Sequence, residues 1–252
     1  MDKTYSFDEL MDIVRILRSK EGCPWDREQT HESLKQCLLE ECYEVIEAIN
    51  NEDSENLCEE LGDVLLQVAM HSVISEEESK FTVSDVISGE SEKMIRRHPH
   101  VFGDIKVESS DEVLKNWEDI KSREREDTRP EQELLKVPKA LPANIRAEKV
   151  QKKAAKLGLE LGSREKVMKD IFNKLEMLDK AVESGENPLI FDEFGALLFH
   201  IIKLSLILQL NAENSLTNAT NQFINRLIDV LSPYKGKDYN LCDITISEHQ
   251  AL

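Results

Sequence analysis

Apolar residues recur at intervals of three and four along most of the chain, and no long stretch alternates apolar with polar residues. The first pattern is the period of an amphipathic helix, whereas alternation would indicate a strand. Proline and glycine are scarce, which favours long uninterrupted helices. We therefore predict an all-α protein with helices at 7–20, 30–51, 54–77, 83–97, 110–126, 142–157, 164–184, 190–210 and 213–232.

The chain also repeats itself at a shift of 133 residues. That shift places the segment 60–65 over the segment 193–198, with matching apolar stripes on either side. Internal similarity at a fixed spacing is the signature of a duplicated unit. We expect two four-helix-type units, at 1–126 and 142–236, joined by a charged linker at 127–141 and followed by a tail at 237–252.

Two acidic motifs stand on consecutive predicted helices, Glu40-Glu41-x-x-Glu44 and Glu59-Glu60-x-x-Asp63. Within each motif, the second and last acids are three residues apart, so they share one face of their helix, beside the apolar stripe. Two antiparallel helices packed by these stripes would collect four carboxylates in one crevice: Glu41, Glu44, Glu60 and Asp63.

Four carboxylates that close repel one another unless a positive charge offsets them. Oxygen ligands without cysteine or histidine among them favour Mg2+ or Mn2+ over zinc. A single acidic pair on a helix is usually just solvated. Two such pairs bordering the apolar faces of consecutive helices favour a metal site.

The second copy lacks most of this acidic set. The shift of 133 residues aligns the four candidate ligands with Lys174, Met177, Glu193 and Ala196. One carboxylate cannot anchor a multinuclear site, because each hard cation needs about six oxygen ligands. We predict that the second unit is catalytically silent, although its apolar stripes should still fold and pack.

Composition narrows the class of protein. A net charge of -18 argues against general affinity for nucleic acid. No apolar run is long enough for a membrane span, and the first residues lack the basic and apolar regions of a signal peptide, so we expect a cytoplasmic protein without a membrane partner. Five cysteines without a C-x-x-C pair favour reduced, buried thiols.

These features resemble the MazG family of all-alpha nucleoside triphosphate pyrophosphohydrolases. Besides the acidic motifs, the resemblance rests on Gly22-Cys23-Pro24-Trp25-Asp26, Arg96-Arg97-His98-Pro99-His100-Val101-Phe102, Trp117-x-x-Ile120-Lys121 and the junction from Leu141 to Lys153. It implies a MazG-like helical bundle that forms a homodimer. It also implies hydrolysis of a nucleoside triphosphate to the monophosphate and pyrophosphate, with Mg2+.

Carried onto this chain, the resemblance assigns three groups of residues. The metal ligands and catalytic groups would be Glu41, Glu44, Glu60 and Asp63. Glu40 and Glu59 would orient a ligand or a water, or one of them would be the general base, which the sequence does not assign. The contacts to the substrate would come from Lys93, Arg96, Arg97 and Trp117, with the basic residues on phosphate oxygens and the indole near the base.

Some alternatives stay open at this point. The chain could be a nucleotide- or alarmone-binding regulatory protein that has lost catalysis, or a helical interaction protein. Trp25 could belong to the core or to a pocket wall. His98 and His100, on either side of a proline at a helix end, are expected to be structural rather than zinc ligands.

Overall fold

The computed structural model describes residues 3–124 and 130–232. Within these ranges the regular structure is helical, which confirms the all-α prediction. The chain divides into two compact units, Met1–Arg125 and Glu126–Leu252. The predicted linker contains a short helix at its centre, and the predicted tail at 237–252 lies outside the described residues.

The first unit contains seven described helices: α1 Phe7–Arg18, α2 Pro24–Glu28, α3 Lys35–Asn50, α4 Ser54–Glu77, α5 Val83–Arg97, α6 Pro99–Phe102 and α7 Ser110–Arg123. The five longer ones match the predicted helices closely. The two short ones were not predicted, because four or five residues are too few to show a helical period. Each of them begins with proline, which suits the first position of a helix.

The core of the first unit forms where α1 packs against α4. Its buried side chains are Met11, Val14, Leu34, Ala69, Met70, Val73 and Ile74. A buried arginine extends this contact: Arg18 donates to both carboxylate oxygens of Glu77, at 3.0 and 2.8 Å. Its remaining donors reach the carbonyl oxygens of Asp26 and Gln29, so one side chain ties together α1, α2 and α4.

A hydrogen-bonded cap sets where α5 begins. The hydroxyl of Thr82 accepts from the backbone N–H of Asp85, and the Asp85 carboxylate accepts from the backbone N–H of Thr82. This reciprocal pair satisfies amides that the first turn of a helix leaves without partners. It thereby fixes the phase of the helix that carries Lys93, Arg96 and Arg97.

Helices α3 and α4 form an antiparallel hairpin, as predicted, but the apolar stripe is less buried than expected. Leu61, Leu65 and Val68 are exposed by 51%, 40% and 37%, and Ile49 by 55%. These side chains belong to the apolar stripes that we expected to pack the two helices together. Only part of the stripe does so, and the rest forms an apolar face of the first unit.

The second unit contains five described helices: α8 Pro130–Leu135, α9 Ala143–Lys156, α10 Arg164–Ser184, α11 Asn187–Ile207 and α12 Ala212–Leu231. Its α10–α11 hairpin repeats the α3–α4 hairpin at the shift of 133 residues. The buried positions correspond in pairs: Leu34 with Val167, Ala48 with Ala181, and Ala69 with Ile202. The turns correspond too, since Glu52 and Gly185 both have a positive φ. The duplication therefore extends from sequence to side-chain burial.

Two expectations about surface properties can be compared with this fold. Across the described ranges, no single helix is long and apolar enough to cross a membrane, and the bent pair α11 and α12 passes only when taken together. Cys23 and Cys37 are half-buried, but Cys42 and Cys58 are exposed, so the prediction of buried thiols is wrong for the latter two. Cys242 lies outside the described residues.

Candidate functional site

Three carboxylates meet on the α3–α4 hairpin. Each of Glu41, Glu60 and Asp63 offers an oxygen atom, and these atoms all lie within 4.8 Å of one another. All three residues are half-buried. The antiparallel hairpin makes this possible, because it places the acidic turn of α3 opposite the acidic turn of α4.

Glu44 joins the cluster from a more exposed position. Burial, a hydrogen bond with Glu44 and the charges of the neighbouring carboxylates raise the pKa of Glu41 above its ordinary value. The pKa of Glu60 is raised as well, first by burial and then by the charges of Glu44, Asp63 and Glu59. These raised pKa values mean that burial and repulsion between carboxylates disfavour the ionised forms of Glu41 and Glu60, which a nearby cation would favour.

The two outer acids of the motifs differ in their surroundings. Glu40 is exposed, and its Oε1 accepts a hydrogen bond from Nε2 of Gln36, 3.0 Å away on the same helix. Glu59 is also exposed, but its charge acts on Glu60. Of the two, Glu59 is therefore the better candidate for a group that supports the cluster.

The predicted phosphate-binding residues lie at the end of α5, where two of them contact an acid that sequence reasoning missed. Arg96 Nε donates to Glu124 Oε1 at 2.6 Å. Arg97 donates to Glu124 Oε2 through Nη2 at 2.6 Å and through Nε at 3.1 Å. The two guanidinium groups lower the pKa of Glu124 to about 2. Lys93 instead pairs with Glu90, one turn earlier on its own helix.

Trp117, on α7, contacts both Arg97 and His98. The Arg97 guanidinium lies over the indole ring, 5.5 Å from its centroid. The rings of His98 and Trp117 pack edge to face, with their centroids 5.0 Å apart. The Nδ1 atom of His98 lies 2.6 Å from the carbonyl oxygen of Met94. These contacts support the structural reading of His98. Trp25, by contrast, is 60% exposed and so does not belong to the core.

A histidine pair on the acidic flank of α4 was also missed. The Nδ1 atoms of His31 and His71 are 2.8 Å apart, and the two rings stack with centroids at 5.1 Å. Burial, and then the charge of His31, lower the pKa of His71. Asp63, Gln67 and His71 follow one another at four-residue spacing, which was the available signal. The pairing itself depends on a loop residue, His31, that periodicity does not place.

The second unit replaces the acidic cluster with an internal ion pair. Lys174, at the position of Glu41, lies 3.1 Å from Oε2 of Glu193, at the position of Glu60. The same ammonium is 3.8 Å from the sulfur of Met177. The two hairpins thus place equivalent residues face to face, but in the second unit a lysine balances the one remaining carboxylate.

The sequence of this chain matches a family of known proteins. Residues 29–102 match the family described as MazG nucleotide pyrophosphohydrolase domain. The chain is 44% identical over 220 residues to the nucleoside triphosphate pyrophosphohydrolase/pyrophosphatase MazG of Thermotoga maritima, which covers 87% of this chain and 83% of that protein. The chain belongs to the MazG family. This confirms the resemblance noted in the sequence.

Other MazG relatives extend the comparison. The nucleoside triphosphate pyrophosphohydrolase of Escherichia coli K12 is 38% identical over 226 residues, covering 88% of this chain and 86% of that protein. The Bacillus subtilis protein named "Uncharacterized protein YabN" is 43% identical over 249 residues, which cover 98% of this chain but 51% of the relative. The chain therefore spans about half the length of that relative.

The MazG match also divides the site. Residues 29–102 include all four acidic candidates together with Lys93, Arg96 and Arg97. Trp117, on α7, and Glu124, which directly follows α7, lie outside the matched segment. So does the second unit, whose hairpin has only one of the four carboxylates.

Proposed function

We propose that this protein hydrolyses nucleoside triphosphates to the monophosphate and pyrophosphate at the acidic cluster of its first unit. The observation that carries the proposal is the convergence of Glu41, Glu60 and Asp63 within 4.8 Å, inside the segment that matches the family. The names of the Thermotoga and Escherichia relatives support the same reaction.

The cluster fits a hard divalent cation. Glu41, Glu44, Glu60 and Asp63 would hold Mg2+, or Mn2+ as a substitute, because both ions prefer carboxylate oxygens. The raised pKa values of Glu41 and Glu60 support this fit, since a bound cation would remove the repulsion that causes part of them. When bound, Mg2+ supplies charge neutralisation on phosphate oxygens and makes a water more acidic.

The substrate's phosphate chain would contact the basic end of α5. Lys93, Arg96 and Arg97 lie within five residues of one another on that helix, and the arginine forks suit phosphate oxygens. Trp117 would stack on the base, because an indole offers a flat aromatic face. Glu59 would help to orient Glu60 or a water near it.

We also propose that the second unit is catalytically silent and serves a structural role. The 3.1 Å contact between Lys174 and Glu193 supports this, because the ammonium occupies the side of the hairpin where the first unit has its carboxylates. A cation site like that of the first unit would require carboxylates in place of Lys174, Met177 and Ala196.

A homodimer is the assembly that the exposed faces favour. On the first hairpin the exposed apolar residues are Leu39, Tyr43, Ile46, Ile49, Leu61, Leu65 and Val68. Five of these have exposed counterparts on the second hairpin, namely Phe172, Val182, Phe194, Leu198 and Ile201. Exposed apolar side chains in such numbers are typical of a protein–protein interface.

A product assay tests the proposed reaction. Purified protein with Mg2+ should release pyrophosphate, rather than orthophosphate, from nucleoside triphosphates. Glu60→Gln should lower kcat/KM by at least about 100-fold, because even groups that only orient metal ligands are worth 10- to 100-fold. Glu193→Gln, at the equivalent position of the second unit, is the matched control and should leave the rate unchanged.

The same assay separates the alternatives. Full activity in Glu60→Gln would show that the site lies elsewhere. Nucleotide binding without pyrophosphate release would instead indicate the regulatory protein. A panel of natural and modified triphosphates would then define the base and sugar preference.

A further inference from the structure

The contact that stands out beyond the acidic cluster is the meeting of two arginines on one carboxylate. Three N–H groups, Nε of Arg96 and both Nε and Nη2 of Arg97, donate to the two oxygens of Glu124 at 2.6 to 3.1 Å. The Arg97 and Glu124 side chains are exposed by only 15% and 20%. This is a partly buried, charge-assisted cluster rather than a loose surface pair.

A carboxylate in this place resembles part of a phosphate group. Both present two oxygens to the planar fork of a guanidinium, so a phosphate group could accept the same N–H donors. Two guanidinium groups carry two positive charges, and Glu124 balances only one. The cluster therefore keeps a net positive charge that would attract a strongly anionic chain, while its best donors are already engaged.

Glu124 is not the only group that positions Arg97, because the guanidinium of Arg97 also lies over the Trp117 ring. The Arg96 side chain differs, since it is 54% exposed. Removal of the Glu124 charge would thus leave Arg97 supported on one side, with its N–H donors released. Glu124 directly follows α7, while both arginines belong to α5, so the contact also links the C-terminal ends of these two helices.

We propose that Glu124 is a built-in competitor for the phosphate chain, which must replace its carboxylate on Arg96 and Arg97 in order to bind. This inference rests on the proposed function for the nature of the substrate. Its basis is the geometry of a carboxylate that occupies the phosphate-binding donors from a neighbouring helix. The contact weakens substrate binding and so raises the substrate concentration that turnover needs.

Two measurements test the competitor. Glu124→Gln keeps the shape of the side chain and removes its charge. With excess Mg2+, isothermal titration calorimetry should show inorganic tripolyphosphate binding about five-fold tighter, the scale of one partly exposed ion pair. In the pyrophosphate-release assay, KM should fall by a similar factor while kcat stays within about two-fold, as expected when ground state and transition state gain equally.

A matched control separates a local effect from a general one. Glu76→Gln removes the same charge and also removes one of the two carboxylate partners of an arginine, since Arg15 Nε donates to Glu76 at 3.1 Å and Arg15 Nη1 donates to Asp12 at 2.9 Å. That variant should leave tripolyphosphate binding unchanged. Arg97→Ala should weaken binding and should abolish the gain when combined with Glu124→Gln.

Several outcomes would refute the proposal that Glu124 competes with phosphate. Unchanged or weaker binding of tripolyphosphate to Glu124→Gln would show that the carboxylate only holds the two helices together. An equal gain in Glu76→Gln would show that the effect comes from the net charge of the protein. If circular dichroism shows that Glu124→Gln is unfolded, Glu124→Asp decides, because its shorter reach loosens the contact: tighter binding supports the proposal and equal binding refutes it. Absence of pyrophosphate release in the wild type would refute the proposed function alone, since the titration does not need turnover.

Discussion

Addition of Mg2+ should stabilise the first hairpin and leave the second unaffected. The perturbation is a titration of metal-free protein with Mg2+, followed by removal with a chelator. In the first unit the cation would bind among Glu41, Glu60 and Asp63, whose oxygens lie within 4.8 Å of one another. In the second hairpin, the ammonium of Lys174 already lies 3.1 Å from Glu193 and balances its charge. The equivalent position there therefore lacks a comparable group of carboxylates for a cation to bind.

Mass action sets the magnitude. A ligand present at about 100 times its Kd adds roughly 2.7 kcal/mol to the free energy of unfolding. For a unit the size of Met1–Arg125, each kcal/mol moves Tm by about 4 °C, so saturating Mg2+ should raise Tm by about 10 °C. Amides that exchange only through unfolding of this unit should exchange about 100-fold more slowly.

Hydrogen exchange followed by mass spectrometry localises the effect. Peptides from α3 and α4 should gain protection with Mg2+, while peptides from α10 and α11 should not. Glu41→Gln should lose most of the gain. Without metal, the same variant should be at least as stable as the wild type at neutral pH, because burial and neighbouring carboxylates raise the pKa of Glu41 and so make its ionised form unfavourable in the folded state.

Three results would refute this reasoning. Equal protection of both hairpins would show that Mg2+ acts on the whole protein rather than at the cluster. A full Tm shift in Glu41→Gln would remove that residue from the ligand set. A large loss of stability in metal-free Glu41→Gln would mean that the carboxylate is needed for folding, contrary to the repulsion inferred from its surroundings.

Three further predictions follow from other contacts. Thr82→Ala should lower the free energy of unfolding by about 1 kcal/mol in urea denaturation, since it removes the capping hydroxyl of α5, whereas Thr82→Ser should restore most of it. Glu124 has a pKa of about 2 in the folded protein against an ordinary 4.5, so its contribution to stability is complete above pH 4.5 and is lost as pH falls through about 2. The Tm difference between wild type and Glu124→Gln should therefore shrink over that range, and a pH-independent difference would contradict the ion pair. Leu65→Lys should shift the mass in light scattering from that of the proposed homodimer to that of a monomer, and a dimer mass in both proteins would place the interface away from the exposed face of α4.

The sequence by itself determined the features that depend on local spacing. Helical period alone predicted α4, α5 and α10 with the bounds that the structure has, because the spacing of apolar residues along one face is a local property of the sequence. The same period placed Glu41 and Glu60 beside the apolar stripes, and the hairpin brought them together. The sequence also showed that Lys174 stands in the second copy where Glu41 stands in the first, because the two copies align at one constant shift.

Only the tertiary structure decided which distant groups meet. The sequence placed Glu124 near the end of the predicted helix 110–126 and gave it no role, yet it binds Arg96 and Arg97 because α7 packs against α5. His31, in a loop, meets His71 for a similar reason. Periodicity fixes how a helix is rotated about its own axis, but contacts between helices depend on how they pack. The exposure of Leu65 also shows this limit, because an apolar stripe has the same spacing whether it faces its own core or a second molecule.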